Sequence, residues 1–221
     1  MSALVIDGHP NPDSLSAAIA ARYARAHGDA TLLAIRDLDF DPILRLGYRG
    51  EQALEPDLVA ARGAIERADH VVVVVPVWWG SIPALAKGFV DRTFLPRWAF
   101  RRRQNGLVDG LLAGRSGLVI VTTDSPLWYL RAVGDTTVRT LRDRTMRFSG
   151  IRPVRALRFG PVRGSSDERR RRWLARVDRV AAADHAMADR RRAAGPAGGR
   201  TGGSGDGSAD RRAELVEAAG A

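Results

Sequence analysis

Short apolar runs alternate with longer amphipathic segments along most of this chain. The most apolar run is five consecutive valines, residues 71–75, and it ends at Pro76. A strand that is apolar at every position has both faces buried, which is typical of a parallel sheet covered by helices. Proline ends the run because it has no N–H group to donate to a neighbouring strand. Comparable runs predict the other strands at residues 3–7, 30–36, 116–122 and 152–159.

The segments between these runs predict helices. Leu15, Ile19 and Tyr23 recur at a spacing of four residues, and Asp13 or Ser14 can cap the first turn of that helix. The first helix is expected to end near residue 27, and a polar connection follows the second strand at residues 37–54. The later helices are predicted at about 55–67, 83–94, 129 or 134 to 147, and 167–193.

Strands and helices that alternate in this order predict an α/β fold with a doubly wound, five-stranded parallel sheet. Crossovers between parallel strands are right-handed, which leaves few topologies, and we favour the strand order 2-1-3-4-5. The order of strands then reverses between the first and the third. Ligands of such sheets bind outside the carboxyl ends of the strands at that point. We therefore expect a binding site at the turns that follow residues 7 and 75.

The composition of the chain changes near residue 195. The segment 195–208 consists mainly of glycine, with serine, alanine and proline, as in flexible linkers. The length of 221 residues and the hydrophobic fraction of 45% suit one globular domain. We therefore predict a single domain over residues 1–194 and a disordered, Gly/Ser/Ala-rich tail over 195–221.

Composition also excludes several classes of protein. The chain has no cysteine, so it has no disulfides, thiolate metal sites or cysteine nucleophiles. No apolar run approaches the roughly 18–20 residues that span a bilayer, and the first residues do not resemble a secretory signal. We therefore expect a cytoplasmic protein without an integral membrane segment.

The net charge of +10 raises the question of a nucleic-acid partner. Lys87 is the only lysine among 35 basic residues, and this bias toward arginine resembles codon composition more than selection for phosphate binding. We expect no nucleic-acid partner. A non-enzymatic nucleic-acid-binding module that uses the arginine-rich helix at 169–192 stays open as an alternative from another class.

The turn after the first strand, residues 8–16, offers donors for an anion. Ser14 and Ser16 supply hydroxyl groups, and the following helix supplies free N–H groups and the positive end of its dipole. This combination suits a phosphate. Helix capping by Asp13 or Ser14 alone explains the same residues, so both interpretations stay open here. The segment lacks the glycines of a dinucleotide-binding turn and of a P-loop.

Aromatic side chains follow two predicted strands at the same edge of the sheet. Trp78 and Trp79 follow the valine run, and Trp128 and Tyr129 follow the strand at 116–122. A flat aromatic cofactor that lies against these rings explains their placement. For Trp78 and Trp79, packing beneath the next helix or a contact between two copies of the chain explains the placement equally well. For Trp128 and Tyr129 the alternative is a Ser-Pro turn that starts a helix. The polar segment that precedes the second pair consists of Thr122, Thr123, Asp124 and Ser125.

Groups suited to acid–base or metal chemistry are few. His9 is the only histidine in a turn that follows a predicted strand, and the histidines and carboxylates show no spacing typical of a metal site. Ser14 and Ser16 lack the Gly-x-Ser-x-Gly turn of a hydrolase. A site with phosphate donors and aromatic planes but few acids and bases indicates redox chemistry, in which a cofactor carries the reaction. We predict no metal.

Together these segments resemble the NAD(P)H:quinone oxidoreductase family of flavodoxin-like flavoproteins. The resemblance spans about residues 3–163. It rests on residues 8–16, on the long stretch 76–94 (PVWWGSIPALAKGFVDRTF), on Thr122, Thr123, Asp124 and Ser125 with Tyr129, and on 148–151.

The resemblance implies a flavodoxin-like fold, a bound flavin (FMN or FAD), NAD(P)H as co-substrate, and a homodimer with shared active sites. Hydride would pass from NAD(P)H through the flavin to a quinone or similar electrophilic acceptor, two electrons at a time in a ping-pong cycle. By position, the flavin phosphate would be held by His9, Ser14, Leu15 and Ser16. The ring would be lined by Pro76, Val77, Trp78, Trp79 and Gly80. Its pyrimidine side would contact Thr122, Thr123, Asp124, Ser125 and Tyr129. Trp79 and Tyr129 are the predicted catalytic residues.

This sequence departs from the family pattern in two places. Three arginines, residues 101–103, follow Trp98-Ala99-Phe100 where mammalian members have tyrosines; they suit the phosphates of NADPH or form a solvated charge run. Asp135 stands where mammalian members have a histidine, so proton delivery to the acceptor must differ. A second alternative within the family is a regulatory flavoprotein subunit of a membrane potassium-efflux system.

Overall fold

Five parallel strands form the central sheet of the computed structural model, which describes residues 2–193. They are β1 (Ala3–Asp7), β2 (Ala30–Ala34), β3 (His70–Pro76), β4 (Ser116–Thr122) and β5 (Val154–Phe159). Their order across the sheet is β2-β1-β3-β4-β5, with every neighbouring pair parallel. The predicted α/β fold and the order 2-1-3-4-5 are therefore confirmed.

The valine strand β3 is the centre of this sheet. It pairs with β1 on one side and with β4 on the other, and all seven of its residues are buried. Burial of a valine side chain stabilises the fold by about 1.5 kcal/mol or more. The all-apolar run is explained by helices on both faces, as predicted from the sequence.

The helices divide the core into two clusters. The helices are α1 (Leu15–His27), α2 (Pro56–Arg67), α3 (Ala84–Thr93), α4 (Leu127–Ala132), α5 (Thr136–Val138) and α6 (Asp167–Ala193). On one face Val71, Val73 and Val75 pack with Ile65 of α2 and Phe89 of α3. The cluster on the opposite face joins Val72 and Val74 to Ile19 and Tyr23 of α1 and Val177 of α6.

Of the two starts predicted for the helix that ends at residue 147, the later one, near 134, is confirmed, and a continuous helix from 129 is wrong. The segment consists of α4, a break, the single turn α5 and a π-helix over Arg139–Arg147. Gly134 and Asp135 have φ angles of 85° and 44°, in the left-handed region, and two such residues in succession end a right-handed helix. The second strand is also shorter than predicted, because Ile35–Asp37 forms a 3₁₀ turn.

An antiparallel hairpin that the sequence analysis missed lies between α3 and β4. Its strands are Phe100–Arg102 and Val108–Gly110. The Asn105-Gly106 pair, with Gly106 at φ 82°, is a recognised hairpin signal that could have identified it. The side chain of Asp109 pairs with Arg101 and Arg103, so two of the three arginines considered for NADPH already have a carboxylate partner.

Two further sequence predictions concern the C-terminal tail and the absence of a membrane-spanning segment. The predicted tail, 195–221, lies outside the described residues. Within residues 2–193, no helix has the length and apolar character needed to cross a membrane.

Candidate functional site

A crevice of about 200 Å³ opens at the carboxyl ends of β1, β3 and β4, where the topology places a ligand site. Ten of the predicted site residues line it: His9, Ser14, Leu15, Ser16, Pro76, Val77, Trp78, Thr122, Thr123 and Asp124. Val162, which follows β5, also lines it and was not predicted. No local pattern marks Val162, because only the docking of β5 beside β4 brings it there.

The turn after β1 is fixed by a buried ion pair. Asp7, 1% exposed, accepts the His9 N–H at 3.1 Å and pairs with Arg36 at 2.5 Å. The guanidinium of Arg36 also donates to the His9 carbonyl at 3.3 Å. Gly8 is required because a Cβ there would lie 2.7 Å from a methyl group of Val75. The backbone of His9 is therefore held from both sides.

These contacts also define what the His9 ring can donate. The N–H of Asn11 donates to His9 Nδ1 at 3.0 Å, so the neutral ring carries its proton on Nε2. Burial lowers the pKa of His9 below 6.5, although Asp7 opposes that effect. At neutral pH His9 is thus an uncharged N–H donor near the N-terminus of helix α1.

The first turn of α1 supplies further donors. Ser14 is the N-cap, and its hydroxyl accepts the Ala17 N–H at 3.1 Å. The N–H groups of Leu15 and Ser16 precede the first intrahelical bond, which runs from Ala18 to the Ser14 carbonyl, and they can donate to an anion. Capping and anion binding, which the sequence left as alternatives, are therefore compatible at Ser14.

The turn after β3 presents its aromatic rings to the outside. Trp78 and Ser81 exchange two backbone hydrogen bonds of 2.9 Å each, and φ is 51° at Trp79 and 69° at Gly80, which defines a type I′ turn. Trp78 is 43% exposed and lies edge-on against His9, with ring centroids 5.4 Å apart. Trp79 is fully exposed. Neither indole is part of the core.

The segment after β4 contributes hydroxyls more than rings. Thr122 and Thr123 are buried, and the Thr122 hydroxyl lies 2.8 Å from the Ser16 hydroxyl. The Asp124 carboxylate accepts the Arg163 N–H at 2.7 Å. Tyr129 is 47% exposed beside Trp128. Four predicted site residues do not line the crevice in this single chain: Trp79, Gly80, Ser125 and Tyr129.

The site fits the parts of a flavin unevenly. The donors of His9 and of the α1 N-terminus suit a phosphate, and the hydroxyls of Thr122 and Thr123 suit a polar ring edge. The crevice is smaller than the roughly 300–1,000 Å³ of a complete ligand pocket. The remaining aromatic surface is exposed on Trp79 and Tyr129. The residues present fit a flavin, but the crevice of this single chain does not enclose one.

A larger pocket, of about 460 Å³, lies between residues 44–54 and 95–97. It shares no lining residue with the crevice. We place the candidate site at the crevice because helix N–H groups, hydroxyls and an exposed ring converge there. Among the described residues, no three His, Asp or Glu side chains are grouped as metal ligands would be.

Comparison with known proteins relates the whole domain to flavodoxin-like proteins. A family model described as flavodoxin-like fold matches residues 1–182. An uncharacterized NAD(P)H oxidoreductase of Haemophilus influenzae is 28% identical over 184 residues, covering 79% of this chain and 91% of that protein. An FMN-dependent NADH:quinone oxidoreductase of Xanthomonas euvesicatoria is 29% identical over 159 residues, covering 70% of this chain and 79% of that protein.

One solved structure is similar in fold over most of this chain. Smu.1420 of Streptococcus mutans superposes with a TM-score of 0.75 and 26% identity, covering 82% of this chain and 99% of that chain. The chain also matches ribosyldihydronicotinamide dehydrogenases, of which it spans about half the length, 54% of the human protein. The relatives' names agree with the family that residues 8–16 and 76–94 resemble. The match over residues 1–182 shows that this chain belongs to the flavodoxin-like fold family.

Proposed function

We propose that this chain is a flavin-dependent oxidoreductase that takes hydride from NAD(P)H and delivers it to a quinone or similar electrophilic acceptor. The observation that carries the proposal is the crevice itself. It joins the N-terminus of α1 to a turn that exposes two indoles, and His9 is the only histidine among its lining residues. A site of this kind binds and orients a cofactor more readily than it moves protons.

The flavin would supply the hydride chemistry, accepting two electrons from the nicotinamide and passing them to the acceptor. His9 and the amides of Leu15 and Ser16 would hold its phosphate, with the α1 dipole favouring the negative charge. The turn at Trp78 and Trp79 would form the apolar wall of the ring. This wall would exclude water from the reacting face.

The second group of residues would hold the polar edge of the ring. Thr122 and Thr123 have buried hydroxyls at the crevice, and the turn that contains Asp124 and Ser125 is closed by the Ser125 N–H donating to the Thr123 hydroxyl at 3.0 Å. Tyr129 has the phenol nearest in sequence to this turn, and we propose it as the donor of a proton to the reduced acceptor. Asp135 cannot take that role as a histidine would, since its carboxylate is ion-paired with Arg158.

A homodimer would complete the site. Trp79, Trp128 and Tyr129 together expose aromatic surface beside a crevice that is too small to enclose a ligand. A second copy that covers these rings would bury them and enclose the flavin. Aromatic residues are enriched in protein–protein interfaces for the same reason.

The name of the Xanthomonas relative favours FMN over FAD as the flavin. Experiment must decide between the two flavins and between NADH and NADPH as the hydride donor. The division into a domain over 1–194 and a tail, and a cytoplasmic location, stay predictions.

The test is to purify the full chain, add FMN or FAD, and follow NADH and NADPH oxidation with a soluble quinone. We expect a yellow protein, saturable quinone-dependent oxidation, and a released flavin identified by mass spectrometry. A colourless protein that stays inactive with both flavins would contradict the proposal. Salt-sensitive retardation of DNA by that protein would favour the nucleic-acid alternative.

A further inference from the structure

The turn that carries Trp79 holds a bulky residue in an unfavourable backbone conformation. Type I′ turns require positive φ at both central residues, and asparagine, aspartate or glycine normally fill them. Trp79 occupies the first of these positions at φ 51°, which costs a non-glycine residue about 1–2 kcal/mol. Its indole is fully exposed and gains no burial that offsets this cost. The turn therefore needs support from elsewhere in the fold.

The support comes from the start of α5. The hydroxyl of Thr136 donates to the carbonyl oxygen of Gly80, the second left-handed residue of the turn. The two groups are 56 residues apart in sequence. A Cβ at Gly80 would stand 3.6 Å from the Thr136 hydroxyl, so the start of α5 lies directly against the turn. One side-chain hydrogen bond thus joins the turn after β3 to the first residue of α5.

Thr136 is in turn held by its neighbour. Asp135 is itself left-handed at φ 44°, and its N–H donates to the Leu130 carbonyl at 2.7 Å. Its carboxylate is mostly buried and pairs with Arg158 of β5. Its carbonyl accepts the Arg139 N–H at 3.0 Å. The break between α4 and α5 is therefore fixed to the sheet rather than free to move.

We infer that Thr136 is a positioning residue for the Trp79–Gly80 turn, and that the Asp135–Arg158 ion pair is its anchor. The inference rests on the proposed function, in which this turn is the wall of the flavin ring. It gives a role to the position where mammalian members of the family have a histidine. In this chain Asp135 fixes the backbone from which Thr136 reaches the turn, so the backbone of the Trp79–Gly80 turn is held before any ligand binds.

Amide hydrogen exchange of the full-length protein without flavin tests the contact directly. Thr136→Val keeps the shape of the side chain and removes its donor, and Thr136→Ser keeps the donor. We expect exchange of the Trp78 and Ser81 amides to speed up about 10-fold in the valine variant and to stay unchanged in the serine variant. Thr31→Val, on the exposed edge of β2, is the matched control. Equal exchange in wild type and Thr136→Val would overturn the inference.

The anchor is tested by Arg158→Met, with Arg158→Lys as the conservative variant. Exchange in the same turn should rise with methionine and recover with lysine. If the ion pair acts through Thr136, the double variant Thr136→Val/Arg158→Met exchanges no faster than Thr136→Val alone. Independent, additive effects would show that Arg158 does not act through Thr136 and would overturn the anchor.

The loaded enzyme gives the second readout. Thr136→Val should slow reduction of bound flavin by NAD(P)H about 10-fold, with the KM for NAD(P)H unchanged, and Thr136→Ser should restore the rate. Normal reduction by Thr136→Val, together with an unchanged turn, would overturn this inference and leave the proposed function intact. A wild-type chain that binds no flavin would overturn the proposed function, while the exchange experiment would still decide whether Thr136 holds the turn.

Discussion

The two edges of the central sheet use polar and aromatic residues in opposite ways. At the amino edge, Asp184 of α6 is buried and accepts a 2.7 Å hydrogen bond from the Tyr23 hydroxyl. The same carboxylate pairs with Arg155 and lies 3.6 Å from His70 Nε2. At the carboxyl edge, the rings of Trp79 and Trp128 point out of the protein.

The difference separates groups that stabilise the fold from groups that we propose bind a ligand. Buried polar atoms stabilise a protein when they satisfy one another, as Tyr23 and Asp184 do. The exposed ring of Trp79 gains no burial within this chain, yet the backbone that carries it is strained. Residues that a fold does not need, placed where a topology binds ligands, are the signature of a functional site.

The largest expected effect is on stability at the amino edge. Asp184→Asn keeps the shape of the side chain but loses the ion pair with Arg155 and weakens the acceptor for Tyr23. We expect a loss of about 2–4 kcal/mol in the free energy of unfolding, measured by urea denaturation. FMN affinity of the folded fraction should be unchanged. A stable variant with weakened FMN binding would break the division between the two edges.

The second effect is on binding at the carboxyl edge. Trp79→Gly relieves the positive φ and removes the indole, so the free energy of unfolding should stay the same or rise by up to about 1 kcal/mol. FMN affinity should fall about 10-fold, or about 1.4 kcal/mol. Flavin fluorescence titration and urea denaturation measure the two quantities.

Val59→Ala, which removes an exposed apolar side chain on α2, is the control for Trp79→Gly and should change neither quantity. A glycine variant that is less stable and binds FMN normally would show that the indole serves the fold and not the cofactor.

Much of the fold could be predicted because local pattern and global position agree. The valine run of β3 could only be a central strand, and the turns at Gly8 and Pro76 follow strands that end at the same edge. Ser14 and the following periodic residues identify α1. The strand order alone then predicts where most residues of the crevice lie, and no knowledge of side-chain contacts is needed.

The remaining features depend on contacts between distant residues or on backbone conformation. Tyr23 meets Asp184 across 161 residues, and no local pattern encodes that pairing. The break at Gly134 and Asp135 depends on the ion pair with Arg158 as much as on the glycine. The exposure of Trp79 could not be predicted from the sequence. A tryptophan that follows a strand can pack in the core or lie exposed at a binding site, and its hydrophobicity does not distinguish the two.

The smallest expected effect is a pH dependence that comes mainly from the amino edge. His27 is 2% exposed, and neither ring nitrogen has a hydrogen-bond partner. Burial lowers its pKa below 6.5, and His185 and His70 lower it further, against the opposing charges of Asp184 and Asp29. The Tyr23 ring stacks on the His27 ring, and Arg155 is ion-paired with Asp184. The ring is therefore neutral in the folded protein.

The unfolded chain binds a proton at His27 more readily than the folded protein does. The contribution of neutral His27 to the free energy of unfolding is therefore fully present above about pH 6.5 and is lost as the pH falls below that value. The pKa of Asp184 is affected first by burial, which raises it. The hydrogen bond from Tyr23 and the nearby His70 and Arg155 side chains outweigh burial and keep that pKa below 3.8, so this carboxylate contributes only in stronger acid. We expect the melting temperature to fall by roughly 3–6 °C between pH 7.5 and 5.5.

His27→Leu should match or exceed the wild-type melting temperature at pH 7.5, since no hydrogen bond is lost, and should remove most of the fall at pH 5.5. His9→Gln is the matched variant at the carboxyl edge. Burial also lowers the pKa of His9, but its ring is partly exposed at the crevice, so this variant should remove a smaller share of the fall. A larger share for His9 than for His27 would mean that the carboxyl edge, and not the buried network, makes the fold sensitive to acid.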